Sequence, residues 1–522
     1  MKMLVNAAGR PVPSELPGIG PLLPYRGPWA RLEAGDMVPR ILPPLRGEPP
    51  RRSKVAPSLR AAMERAGLAD GMTLSFHHHL RNGDAVLPLV LAECERMGLK
   101  NLCLAPSSLT DAHECVADYV RRGVVSRIHT SGVRGKVGKA ISRGEVPVPV
   151  MVRSHGGRAR AIEEGSIAID VAFLAAPACD EQGNLTGALG PSACGSLGYA
   201  QHDARYARHV IAVTDNLMPS SLTHISIPQY LVNQIVVVDN LGDPGKIASG
   251  SARITRNPVD LKIARDAYRL LRASELLAPG VSFQVGAGGA SLAVAAYVRD
   301  YMREKGIRGS WGCGGITGYM ASMLEEGLFD ALYDVQSFDA AVQDSLVRFR
   351  NHIEIDQSWY ANPLNRGCVV HNLDVVVLAA LDVDTSFNVN VLTGHDGVLR
   401  GASGGHCDTA AGAKLSVVVL PSFRGGVCSI KDAVRAVVTP GETVDAIVTE
   451  RGICINPLRT DLREAARKAK LPVKEIADLK AEVEALTGKA EEAPLPDPKP
   501  ENVVALIEYR DGTILDSLFR IS

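Results

Sequence analysis

The chain has 522 residues, which at about 150 residues per domain gives a prior of three domains or two large ones. Hydrophobic residues make up 46% of it, so sizeable cores can form and wholesale disorder is excluded. The 57 Lys and Arg balance 57 Asp and Glu, and a chain without a basic surplus gives no support to a nucleic-acid partner.

Aromatic residues are only 5% while glycines number 50, which favours tight turns and backbone-lined sites over aromatic stacking platforms. The 10 cysteines are scattered without a C-x-x-C pair, so neither a zinc site nor a disulfide scaffold is indicated. Met1 to Arg10 holds no apolar stretch of signal length, and the longest apolar runs, such as Val375 to Leu381, fall far short of a membrane span. These features lead us to expect a soluble cytoplasmic protein with free thiols and neither a membrane nor a nucleic-acid partner.

In chain order, the first 57 residues hold 12 of the 32 prolines, in strings such as Pro11-Val-Pro13 and Leu42-Pro43-Pro44. Proline removes backbone donors, so residues 1–57 are expected as an extended arm wrapping a neighbour or as a partly ordered tail. Regular structure is expected from Ser58, where Leu59, Met63 and Ala66 show helical spacing. A first unit, residues 58–250, alternates strands and helices. Strands are predicted at Thr73–Phe76, Leu99–Leu104, Ile169–Ala175 and Val210–Thr214, and helices at Ala85–Met97 and Asp111–Gly123.

A second unit, residues 251–522, repeats the first. Ile169-Asp170-Val-Ala-Phe-Leu-Ala matches Leu373-Asp374-Val-Val-Val-Leu-Ala, Gly183-Asn184 matches Phe387-Asn388, and Ser75-Phe76 matches Ser282-Phe283. The offset stays near 204–207 residues, too long for a solenoid, so one domain is written twice. Continuous apolar strands spaced by helices predict mainly parallel sheets with helices on both faces, and ligands then sit beyond the carboxyl ends of strands. The second unit is expected to end in an amphipathic helix, Val473–Leu486, and a hairpin. Its strands are Val504–Tyr509 and Thr513–Leu518, turning at Arg510-Asp511-Gly512.

Several strings carry candidate chemistry. Gly286, Gly288 and Gly289 follow a strand and open a helix at Leu292–Lys305, where amides can face an anion; a tight turn alone would also explain them. Gly401-Ala-Ser403-Gly404-Gly405-His406-Cys407-Asp408 offers stacked amides able to stabilise an oxyanion, with a capped helix start and a structural Asp408 as the plainer reading. The run His77-His78-His79, taken as strand, alternates faces and lacks a nearby carboxylate or Cys, so no metal is expected. Arg81, Arg134, Arg158 and His155 are candidate anchors for carboxylate or phosphate, ordinary ion pairing being the alternative. Cys194 is a nucleophile only if exposed. Neither a Gly-x-Ser-x-Gly elbow nor a phosphate-loop lysine motif is present.

Together these strings resemble one family, the alpha subunit of citrate lyase, a citrate CoA-transferase. The carrying residues are Ser75-Phe-His-His78 with Arg81, Ser154-His-Gly-Gly-Arg158, Asp180-Glu181-x-Gly183-Asn184 and Cys194-Gly-Ser-Leu-Gly-Tyr199. To these are added Asp334-Val-Gln-Ser-Phe-Asp339, Tyr360-Ala-Asn-Pro363, Phe387-Asn-Val-Asn-Val-Leu-Thr-Gly394 and Gly401-Ala-Ser-Gly-Gly-His406. The likeness runs from about residue 55 to 520 and leaves out the proline-rich opening.

The resemblance implies two tandem CoA-transferase-like (NagB/RpiA-like) α/β domains. It implies exchange of the acetyl group of an acetyl-acyl carrier protein, or of acetyl-CoA, for citrate, giving a citryl thioester and acetate. It also implies partners: a beta subunit (citryl lyase) that cleaves the citryl thioester, and a gamma subunit, the acyl carrier protein with its phosphoribosyl-dephospho-CoA group. No permanently bound cofactor is expected, and an oligomer is. On this reading His78, Arg81, Arg134, His155 and Arg158 bind substrate. Gly286, Gly288, Gly289, Ser403 and Asn388 bind the thioester, and Gly404, Gly405 and His406 are catalytic.

Glutamate-dependent CoA-transferases carry their nucleophile shortly after the glycine loop of the second domain, where this chain has Ile316-Thr317-Gly318-Tyr319-Met320. Citrate attacking the thioester directly, through a mixed anhydride in a ternary complex, fits that departure. Competing expectations are a citramalate CoA-transferase subunit, a carboxylate CoA-transferase with a Glu nucleophile, and an inert scaffold subunit.

Overall fold

The computed structural model describes residues 2–30, 53–247, 254–286, 288–488 and 497–521. Two large sheets dominate it. The first orders its strands as Gln234–Val237, His209–Thr214, Val171–Ala175, Thr73–Ser75, Leu102–Leu104, Val125–Thr130, Val150–Arg153, Val503–Glu508 and Ile514–Phe519. The second runs His352–Glu354, Phe329–Ser337, Gly309–Ile316, Ser282–Val285, Val375–Ala379, Leu415–Val419, Ala446–Thr449 and Gly452–Ile455. All pairings are parallel except the last in each sheet. Val171–Ala175 and Leu415–Val419 are buried along their whole length, as strands covered by helices on both faces must be.

The duplication is visible in bonds as well as in strand order. The Thr73 amide donates to Asp170 Oδ2 at 2.9 Å, and the Ser282 amide donates to Asp374 Oδ2 at 2.8 Å. Asp180 accepts from the backbone and side chain of Asn184, and Asp384 does the same for Asn388. Asn388 also accepts from the Gly441 amide at 2.9 Å, matching Asn184 and Gln229. Asn388, expected on the thioester, is thus one member of a turn lock present in both copies.

Three expectations are restated from the structure. The C-terminal hairpin does not complete the second sheet: Val503–Glu508 lies parallel to Val150–Arg153 and extends the first. The unit starting at 251 therefore gives its last strands to the unit before it. Residues 2–30 of the proline-rich opening lie on the same chain's C-terminal hairpin. Tyr25 donates its amide to Ile514 O at 2.7 Å, Asn6 Nδ2 reaches Ile514 O at 2.8 Å, and Arg10 pairs with Asp516 at 2.8 Å. Its residues 31–52 fall outside the described residues. Finally, the first strand stops at Ser75, so His77–His79 form an irregular turn rather than an alternating strand.

The remaining elements fall close to prediction. Helices occur at Val86–Arg96, Gly289–Lys305 and Ile476–Thr487, while Asp111–Gly123 splits into a single turn, Asp111–His113, and a helix, Val116–Arg121. No helix among the described residues is long and apolar enough to cross a membrane.

The halves interlock. The apolar core around the first sheet takes in Leu392, Leu399, Cys407 and Val434 from the second half. A further cluster joins Tyr199 of the first half to Val335, Ile355 and Tyr360 of the second.

Candidate active site

Two loops cross between the halves where parallel strands end. Ser196 and Leu197 enter the second half: the Ser196 amide donates to Ser337 Oγ at 3.0 Å, and its hydroxyl donates to Asp334 O at 2.9 Å. In the other direction, Gly401 O accepts from the Val133 amide at 3.0 Å, and the Ser403 amide donates to Ser131 O at 2.7 Å. Gly404 O then accepts from the His155 amide at 2.8 Å.

The glycines in the second crossing are required by geometry. Gly404 has φ +55°, in the left-handed region that favours glycine, and a Cβ on Gly405 would stand 2.6 Å from the Tyr360 hydroxyl oxygen. The amides of Gly404 and Gly405 have no acceptor among the described residues, and both glycines are only half-buried. These are the donors an oxyanion would need. The His406 amide, by contrast, closes a turn on Ser403 O at 3.0 Å. Its ring is held on both sides, by Thr439 Oγ1 at 2.6 Å and Ala379 O at 3.2 Å. His406 was expected to act on substrate; the structure makes it a strut between the glycine loop and the strand Val375–Ala379.

Facing this loop is a cluster of rings from the first half. Tyr199 lies 4.6 Å from His155, 4.9 Å from His78 and 5.1 Å from His79, centroid to centroid. Hydrogen bonds assign the tautomers. His77 Nε2 accepts from the Ala175 amide at 2.9 Å, so Nδ1 carries the proton and donates to His79 Nδ1 at 2.7 Å. His79 Nε2 then donates toward Val335 O at 3.4 Å. The Ser107 hydroxyl accepts from the His78 amide at 3.0 Å and lies 2.6 Å from His78 Nδ1. His155 follows Ser154, which caps the helix His155–Glu163, and its Nδ1 is buried without a partner.

Burial keeps these imidazoles neutral. It pushes His155 down to about 3 and His77 to about 4, and holds His78 and His79 well below the usual histidine value. They therefore serve as hydrogen-bonding groups rather than as cations at neutral pH.

Positive charge comes from two arginines at the rim. Arg81 is half-buried beside Phe338, its guanidinium carbon 4.5 Å from the ring centroid, and donates to Phe338 O at 3.1 Å. It stands at φ +55°, a conformation that costs an L-residue about 1–2 kcal/mol. Burial, then the nearby Arg134 guanidinium, lowers the Arg81 pKa. Arg134 is exposed at the start of the helix Gly135–Ser142. Arg158 is different. Only 1% exposed, it grips Asp203 through two nitrogens at 2.7 and 2.8 Å and Ala105 O at 2.8 Å. The structure thus removes Arg158 from the candidate substrate anchors.

The first glycine loop abuts the same strand end. The Gly286 amide donates to Val377 O at 3.0 Å, and a Cβ on Gly288 would lie 3.7 Å from Ala379 Cβ. Gly288 precedes the helix Gly289–Lys305, and beneath the loop Ser291 Oγ is buried without a partner. Gln284, on the preceding strand, donates to the Tyr360 hydroxyl at 2.8 Å and accepts from Cys313 at 3.1 Å.

Cys194 and Cys313 are buried thiols raised by that burial, which disqualifies Cys194 as a nucleophile. Around Gly318, Glu325 faces Arg348 on the surface, and Glu326 pairs with Arg299 and Arg303. No group of three or more His, Cys, Asp or Glu among the described residues is arranged to hold a metal ion. Tyr199, Tyr360, Gln284 and Ser107 complete the site without having been singled out for chemistry. Tyr199 and Tyr360 lie inside the family-like strings, whereas Gln284 and Ser107 carry no sequence signal.

Residues 52–521 match the family model described as the alpha subunit of citrate lyase. The citrate lyase alpha chain of Klebsiella pneumoniae is 46% identical over 471 residues, covering 90% of this chain and 92% of its own length. A solved citrate lyase alpha subunit from Streptococcus mutans, in complex with citrate, is 48% identical. It superposes with a TM-score of 0.90 over 93% of this chain and 95% of that one. A 4-hydroxybutyrate CoA-transferase from Porphyromonas gingivalis shares the fold alone, at 17% identity and a TM-score of 0.52 over 88% of this chain and 98% of that one.

Proposed function

Because the chain belongs to the citrate lyase alpha-subunit family of CoA-transferases, we propose that its cleft exchanges the acetyl group of a thioester for citrate by direct attack of a citrate carboxylate. Arg81 and Arg134, with the neutral donors of His78 and His155, hold the tricarboxylate. The thioester enters along the Gly286–Gly289 loop. Holding both reactants in one cleft makes the attack effectively intramolecular, and the nucleophile, already a carboxylate, needs no strong base.

The citrate oxygen bonds to the acetyl carbonyl carbon, and the tetrahedral oxyanion is received by the free amides of Gly404 and Gly405. The thiolate leaves, giving a citryl–acetyl anhydride. It then attacks the citryl carbonyl and expels acetate. A CoA thioester or the phosphoribosyl-dephospho-CoA arm of an acyl carrier protein supplies the thiol. A citryl-cleaving beta subunit and a carrier gamma subunit are the matching partners.

The observation that carries this reading is the pair of unpartnered amides placed opposite the histidine and arginine cluster by the crossing of the halves. The protein incubated with citrate and acetyl-CoA is expected to yield citryl-CoA and acetate by mass spectrometry, without a hydroxylamine-sensitive Glu adduct. Absence of exchange with both CoA and carrier-protein thioesters would overturn the reading. A Glu–CoA adduct would replace the anhydride by a covalent route.

A further inference from the structure

Asp408 belongs to the second half, on the helix His406–Gly412 directly behind the glycine loop, and is fully buried. Its partners lie in the first half and in the C-terminal hairpin. Oδ1 accepts from the Ser154 hydroxyl at 2.8 Å, and Oδ2 accepts from the Gly156 amide at 2.9 Å. These residues flank His155, whose own amide donates to Gly404 O. The turn carrying the central histidine is therefore tied to the loop carrying the free amides at three successive residues, two of them through one carboxylate.

Arg510 approaches the same carboxylate from the hairpin turn, its Nε 3.6 Å from Oδ1. It is itself fixed by Ala361 O at 3.1 Å and His371 Nε2 at 2.7 Å. Arg510 is 0% exposed, although it occupies a turn position where arginine is ordinarily solvated. Tyr360, whose hydroxyl limits the space around Gly405, lies one residue before Ala361. One ion pair thus reaches the histidine turn, the glycine loop and the tyrosine wall together.

We propose that Asp408, oriented by Arg510, is a positioning residue for the transfer reaction proposed above: it holds the Gly404 and Gly405 amides and His155 in one register, so that the oxyanion and the attacking carboxylate are met simultaneously. Asp408 touches neither substrate nor thioester. Its effect is on the geometry in which charge develops, which falls on turnover more than on ground-state binding. Misplacing such donors by a fraction of an ångström is costly because their hydrogen bonds are directional.

The titratable groups facing Asp408 are Arg510 and Tyr509 on the hairpin, Tyr360, Tyr199 and Cys368 on packed elements, and its neighbour Cys407. Burial raises each of those tyrosines and cysteines, so they stay protonated at neutral pH, leaving Arg510 as the charged partner. Burial also lifts Asp408 to about 6, against the lowering effect of Arg510. Protonation on the acid side of that value removes the charge facing Arg510 and weakens both acceptor contacts, so turnover falls with decreasing pH.

The test is steady-state citrate and acetyl-CoA exchange from pH 5 to 8, using wild type, Asp408→Asn, Arg510→Met and the double variant, each checked by thermal melting. In the wild type kcat should fall as pH drops through about 6. The Asp408→Asn variant should lose at least about 10-fold in kcat at pH 7.5, keep both KM values within about 3-fold, and lack that acid limb. The double variant should match Asp408→Asn, because Arg510 acts through Asp408. A folded Asp408→Asn with wild-type kcat, or losses that multiply in the double variant, would overturn the positioning role while leaving the exchange reaction intact. If Asp408→Asn does not fold, the wild-type profile decides: a flat kcat down to pH 5 overturns the proposal. A wild type that makes no citryl-CoA overturns the reaction and the positioning role together.

Discussion

Arg81 and Arg158 carry the same charge within one half of the molecule, yet their surroundings assign them different tasks. Arg158 is closed in with Asp203, so replacing it leaves a buried carboxylate without its counter-charge, a change that costs about 3–5 kcal/mol. Arg81 sits at the rim between the opposing influences of Arg134 and the weaker Asp339, and it bonds a carbonyl rather than a carboxylate. Its removal should leave the fold standing and weaken carboxylate binding by a charged hydrogen bond, about 1.5–3 kcal/mol. We therefore expect Arg81→Ala to raise the citrate KM about 10- to 100-fold with little change in melting temperature. Arg158→Ala should lower the melting temperature sharply. Kinetics and calorimetry on the two variants check this; equal melting losses would deny Arg81 its separate role. Sequence alone grouped these arginines because both follow the same kind of strand end, and nothing in the string around Arg158 announces Asp203, 45 positions away.

Among elements, the parallel strands and the duplication were legible because continuous apolar runs and a constant offset record burial directly. The destination of the C-terminal hairpin was not. Val503–Glu508 carries six buried residues in a row, a pattern that fits the edge of either sheet. The choice is made by tertiary matching: Glu508 meets Arg153 through two bonds of 2.7 and 2.9 Å, and Arg510 meets Asp408. A chain ending at residue 502 would leave Val150–Arg153, buried throughout, as an open edge with unpaired backbone groups. Such a variant is expected to aggregate or to melt without a cooperative transition, even though every matched stretch of the repeat remains. Size-exclusion chromatography and calorimetry would show it, and a monodisperse, active truncated protein would contradict it.

For the whole molecule, the crossing loops make the two halves one folding unit, and the price of the neutral histidine cluster falls on that unit. His77, His78, His79, His155 and His406 are all held below their ordinary value by burial. An unfolded chain binds their protons near pH 6.5, whereas the native one does so only near pH 4 at His77 and His406 and near pH 3 at His155, with His78 and His79 also held well below the ordinary value. Between these limits the unfolded state holds more protons, so stability rises with pH and is lost as pH falls. The slope is up to about 1.4 kcal/mol per pH unit for each histidine. Urea unfolding midpoints should therefore drop steeply from pH 7 to pH 5. An unchanged midpoint would mean that these rings are not buried neutral.

The first strands of the chain and its last pair lie against each other, with the Tyr25 amide on Ile514 and Arg10 on Asp516. During synthesis the opening segment therefore emerges hundreds of residues before its resting place exists. Arg510, which lies behind the glycine loop against Asp408, is made after every strand of the second sheet. A nascent chain still short of residue 503 therefore lacks both the strands that cover the edge of the first sheet and the Arg510 brace behind Asp408. On the positioning role proposed for Asp408, competence for exchange is acquired only when the hairpin docks, after the other strands of both sheets have been made.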